Sequence, residues 1–66
     1  MSKPTQSIAV SDCQGEAKRL TIGELRYLDQ RLHHDVDDGK GGLHYFEEVT
    51  NRDMLKIVED EERRRP

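Results

Sequence analysis

From Ile22 onward the apolar residues recur at helical spacing. Ile22, Leu25, Leu28, Leu32 and Val36 are three or four positions apart, and at about 100° per residue they share a stripe roughly 120° wide. Glu24, Tyr27, Arg31 and His34 fall outside it. Three features mark the start of this segment. Thr21 is a good N-cap, Glu24 completes a capping box, and Leu20 with Leu25 has the spacing of a hydrophobic staple. The spacing predicts a helix over about 22–36. A loop over 37–42 follows, where Gly39, Gly41 and Gly42 remove helix propensity and permit positive φ. Either Gly39 or Gly41 suits the position just past the helix end.

A second, broader stripe joins Leu43, Phe46, Val49, Thr50, Met54, Ile57 and Val58, in a segment free of Pro and Gly from Leu43 to Arg65. Two readings fit it. One is a single helix over about 43–65. The other is a break near Thr50, because Thr50-Asn51-Arg52-Asp53 resembles a second capping box. Near its end, Glu59 with Arg63, Asp60 with Arg64 and Glu61 with Arg65 are acid-before-base pairs four apart, a helix-stabilising order. Residues 1–19 carry no such stripe. Pro4, Thr5, Gln6, Ser7, Ser11, Asp12, Gln14 and Gly15 are turn and linker residues, and Ile8-Ala9-Val10 is an isolated apolar run. This segment is expected to be a flexible, disordered tail.

The expected architecture is therefore all-α: a flexible tail over 1–19 and a helical hairpin domain over 20–66, its two helices antiparallel. Composition adds a difficulty. The chain has 66 residues, 32% of them hydrophobic and 38% charged, with no Trp and one Phe. A two-helix hairpin has one internal seam, which leaves half of each stripe wet. Small chains usually solve this with a disulfide, a metal or a second chain. Cys13 is the only cysteine, so an internal disulfide is excluded and a reducing, cytoplasmic setting is expected. A homodimer closing into a four-helix bundle is the expected remedy. No signal peptide or membrane-spanning run is read from the sequence.

Candidate chemistry is sparse. His34 with Asp38 and His44 with Glu48 are pairs four apart near the loop, the weak candidates for metal binding, although a solvated helix end explains them as well. The cluster Asp35, Asp37, Asp38, Gly39, Gly41 fails the EF-hand pattern in either register. Gly39-Lys40-Gly41-Gly42 lacks the spacing and the Ser or Thr of a phosphate loop. Cys13, in a mobile tail, would not be preorganised as a nucleophile. Asp29 sits beside the first stripe, within reach of Arg26 and His33, as an edge carboxylate or a polar contact setting register. Thr21-Ile22-Gly23-Glu24-Leu25 is similar to the opening of the first helix in winged-helix regulators, but the rest of a helix-turn-helix does not follow.

These observations point away from an enzyme and from a cofactor. The expected function is a small regulatory or inhibitory protein acting by protein–protein binding, of the phage, plasmid or bacterial accessory type. The expected contact residues are Leu25, Leu28, Asp29, Leu32, Phe46, Val49, Met54 and Ile57, toward a second copy or a larger cognate protein. A nucleic-acid-binding helical dimer presenting Arg26, Arg31, Arg52 and Lys56 is the alternative, disfavoured by the net charge of −3. A metal-binding helical module is the other.

Overall fold

The computed structural model describes residues 8–65. It contains three helices and a small hairpin: α1 over Ile8–Arg19, α2 over Ile22–Asp35, β1 over His44–Phe46, β2 over Val49–Thr50, and α3 over Asn51–Arg64. Helix α3 packs against both α1 and α2. The core is shared by all three helices and by Val49 of β2.

Helix α2 begins as its capping box requires. The Glu24 amide donates to Thr21 Oγ1 at 3.1 Å, and the Thr21 amide donates to Glu24 Oε1 at 2.8 Å. Leu25 and Leu32 of the stripe are buried, with Leu28 packed partly against the same core. The helix then loosens into one wider turn over Val36–Lys40, stopped at Gly39, whose φ of +83° places it in the left-handed region.

Residues 43–65 do not form one helix. The break falls at Thr50, where a second capping box closes: the Asp53 amide donates to Thr50 Oγ1 at 3.1 Å and the Thr50 amide to Asp53 Oδ2 at 3.3 Å. The preceding residues turn back as an antiparallel pair, His44 facing Thr50 and Phe46 facing Val49, with an irregularity between them. Its residues are aromatic and β-branched, which suits a pleated, half-covered surface. Glu47, at the tip, adopts a positive φ of 51°. The His44 Nδ1–H donates to the Glu47 carbonyl at 2.6 Å and ties the tip down. The loop carbonyls serve the first turn of α3: Asn51 N–H donates to Leu43 O, Arg52 N–H to Gly41 O, and Asn51 Nδ2 to Lys40 O. A Cβ at position 41 would stand 2.7 Å from the Arg52 guanidinium, so a larger residue there would displace the end of that flexible side chain.

The largest departure from expectation is α1. Residues 8–19, expected as part of a flexible tail, form a helix that contributes Ala9, Cys13 and Ala17 to the core; residues 1–7 of that segment lie outside the described residues. The buried positions are four apart and small, so α1 lies close against its neighbours without presenting a large apolar stripe. Cys13 is consequently a buried core thiol, not a surface one. Burial, with Glu16 and Asp12 nearby, pushes its pKa above the ordinary value.

Helix α1 also removes the packing argument for a dimer. Most of the stripe that one hairpin seam leaves wet is covered within the same chain, although Ile22, Leu43 and Phe46 stay exposed. Leu25, Leu32, Val49, Met54 and Val58 are all essentially solvent-free. A clamp holds the C-terminal ends of α1 and α3 together. Glu61, only 8% exposed, accepts from Arg64 at 3.1 Å and from Arg65 Nε at 3.0 Å. Arg65 Nη2 then donates to the carbonyls of Ala17 and Lys18, each at 3.1 Å. A guanidinium thereby satisfies the open carbonyl end of α1. Glu61 with Arg65 keeps the four-residue spacing read from the sequence, whereas Arg63 reaches Asp60 and Arg64 reaches Glu61, each one turn position closer.

Candidate functional site

Two surfaces carry the groups of interest. The first lies between α1 and the hairpin. Asp12, Cys13, Glu16 and Arg19 of α1, Leu20 of the following turn and Phe46 of β1 line an open groove of about 400 Å³. Phe46 is 40% exposed. The reason is local: β1 alternates, so its middle residue Tyr45 turns toward the core while His44 and Phe46 face out. Burial, followed by the charge of Glu16 and the nearby Cys13, pushes the Tyr45 pKa up, consistent with its packing over α1. Asp12 and Glu16, one helical turn apart, are exposed and pair with no basic side chain among the described residues. The groove therefore combines an apolar side chain available for contact with two adjacent carboxylates.

The second surface is the solvent edge of the α2–α3 seam. Asp29 and His33 are one turn apart on α2, and Glu59 and Glu62 are three apart on α3. His33 Nε2 donates to Glu59 Oε2 at 2.9 Å and lies 3.3 Å from Asp29 Oδ1. The hydrogen bond to Glu59, then the charges of Asp29, Glu59 and Asp37, raise the His33 pKa against a smaller opposing effect of desolvation. Glu62 faces Asp29 closely enough for the two carboxyls to share a hydrogen bond. That contact, burial, and the charges of Asp29 and Glu59 push Glu62 up to about 7, with Arg26 offsetting part of the effect. Asp29 is thus a polar contact at the seam's edge, bound to His33 and Glu62 together.

The residues expected to bind a partner are dispersed by the fold. Leu25, Leu32, Val49 and Met54 are interior residues of one chain, closed to a partner. Leu28 and Ile57 are half-buried beside them. Phe46 is the one large apolar member that stands exposed. The loop candidates His34, Asp38, His44 and Glu48 join no group of three or more convergent metal donors among the described residues; Asp29, His33 and Glu59 do. His34 and Asp38 instead border a shallow depression with Asp37. Sequence reasoning noted Asp29 beside His33 but missed Glu59 and Glu62. Their partnership depends on which faces of α2 and α3 meet, 26 residues apart in the chain for His33 and Glu59. Of the basic stripe considered for nucleic acid, Arg31 is engaged with Tyr27, through a 3.3 Å hydrogen bond and a ring contact at 5.9 Å. Arg52 lies against Gly41.

No family model matches the chain, and neither a curated protein nor a solved structure matches it. Among the described residues no helix is long and apolar enough to cross a membrane.

Proposed function

We propose that this chain is a small non-enzymatic regulator that acts by protein–protein binding, and that its contact surface is the groove between α1 and the hairpin. One observation carries the reading: Phe46 stands partly exposed beside Leu20, over a helix face bearing the free carboxylates Asp12 and Glu16. The complementary occupant is a segment of another protein with an apolar anchor flanked by Lys or Arg. The anchor covers Phe46 and Leu20, and the basic group meets the two acids. The mechanism is steric, with the bound segment withheld from its other contacts. We place this activity in the cytoplasm, where a free thiol such as Cys13 is ordinary. A four-helix bundle of two hairpins is not part of the reading, because Leu25, Leu32 and Met54 already pack within one chain.

Selection from a random peptide library on the full chain tests it. Enriched peptides should carry an aromatic or aliphatic residue within a few positions of Lys or Arg. Their binding should weaken with Phe46→Ala and with Glu16→Lys, and should weaken only moderately with salt. Absence of any such motif, or binding indifferent to both substitutions, would overturn the proposal.

A further inference from the structure

We propose that Asp29, His33 and Glu59 form a site for one first-row divalent cation of the Zn²⁺ type, bridging α2 and α3. The site is independent of the groove and of the partner-binding reading.

The donor set is mixed, one imidazole with two carboxylates: Zn²⁺ accepts both kinds of donor, whereas the imidazole is a poor ligand for the oxygen-seeking Mg²⁺ and Ca²⁺. The spacing is that of helical metal sites, with α2 supplying two donors from adjacent turns of one face and α3 supplying Glu59 opposite them. The distances fit as well. Bonds of about 2.0–2.1 Å from a tetrahedral ion place neighbouring donor atoms about 3.3 Å apart. His33 Nε2 stands 3.3 Å from Asp29 Oδ1 and 2.9 Å from Glu59 Oε2, and one donor atom from each of the three residues lies within 4.8 Å of the others. Entry of the ion replaces the His33–Glu59 hydrogen bond and widens that pair by a few tenths of an ångström. Glu62 lies outside this group of mutually close donors, so the fourth position of a tetrahedral ion is left to a water.

The framework is already in place. Helices α2 and α3 pack together and both contribute to the core, with Leu25, Leu32, Met54 and Val58, so the ion meets donors on two fixed elements. His33 is exposed and the seam opens to solvent there, which provides an entry path. The ion also compensates the local charge. Asp29, Glu59 and Glu62 bring three acids together on this edge, and Arg26 is the cation acting on Glu62.

The experiment is a Zn²⁺ titration of the full chain, stripped with a chelator, against a competing metal indicator, with side-chain NMR of the three histidines. Saturable binding of one ion per chain is expected, with the His33 ring signals moving and those of His34 and His44 staying in place. His33→Ala and Glu59→Gln should each weaken binding by at least about ten-fold, while His34→Ala should leave it unchanged. Both weakened variants alter rim positions, so circular dichroism should show the fold retained. If either unfolds, the histidine signals of the unaltered chain still decide. Binding unaffected by both substitutions would overturn the proposal. So would Zn²⁺ shifting His34 or His44 in place of His33, Mg²⁺ competing equally, or no saturable binding.

Discussion

The two seams of α3 are built on opposite terms. Against α2 it packs on a helix whose buried residues, Leu25 and Leu32, are large, as are its own Met54 and Val58. Against α1 it meets Ala9, Cys13 and Ala17, and the contact is finished at its end by the Glu61–Arg65 clamp. The first seam draws its stability from apolar area. The second draws it from closeness of approach and from hydrogen bonds that satisfy the end of a helix. A helix held in the second way lacks the large apolar stripe that identifies a helix in a sequence, although it is equally part of the core.

The contrast can be broken first at the large seam. Leu25→Ala removes a fully buried side chain and should cost about 3 kcal/mol, read as a lowered denaturant midpoint with unchanged slope. The small seam should fail in the opposite direction, by overpacking. Ala17→Leu forces extra volume between α1 and α3 and should cost about 2 kcal/mol. The loss should include part of the helical circular-dichroism signal, because α1 has little else to hold it. If Ala17→Leu is neutral, α1 does not pack closely there.

The two caps sharpen the comparison at lower amplitude. Thr21→Ala and Thr50→Ala should each destabilise by about 1 kcal/mol, since each hydroxyl accepts from an otherwise unpaired amide. Equality of the two would show that α2 and α3 start by the same device, although one follows a turn and the other a strand. A further effect concerns chemistry more than stability. Cys13 is buried in the small seam and its pKa is raised, first by burial and then by Glu16 and Asp12. The thiolate, the reactive form, is therefore both scarcer and covered in the folded chain, and becomes freely available on unfolding. Alkylation at pH 8 should be at least about ten-fold slower in buffer than in denaturant, and Ala17→Leu should speed it. Equal rates in buffer and denaturant would place Cys13 at the surface.

The same contrast explains what was legible in the sequence. Helix α2 announces itself through Leu25, Leu28 and Leu32 and through Thr21 with Glu24, and the structure starts the helix with that capping box and buries Leu25 and Leu32. The start of α3 was open to a correct reading, since Thr50 and Asp53 are a capping box in sequence and in space. The segment before it misled, because Leu43, Phe46 and Val49 mimic a helical period while His44-Tyr45-Phe46 and Val49-Thr50 pair as strands. Local hydrogen bonds from Asn51 and Arg52 back to the loop decide between these readings, and no period records them. Helix α1 was hidden because its buried residues are two alanines and a cysteine. The inferred need for a second chain followed from that omission: with α1 counted as tail, the stripes of α2 and α3 lacked a cover. At the candidate sites, Phe46 was among the contact residues expected from the sequence and stands exposed. The convergence of Asp29, His33 and Glu59 was not expected, because it depends on the register between two helices.

The central claim is that α1 belongs to the cooperative core of a single chain. Native-state hydrogen exchange of the full chain tests it most directly, by comparing the amides of Cys13 to Ala17 with those of Met54 to Val58 at two protein concentrations. The account expects both sets to be protected by similar opening free energies, independent of concentration. Cys13 to Ala17 exchanging at the rate of an unstructured peptide would contradict it, and would restore the segment to a tail on a helical hairpin.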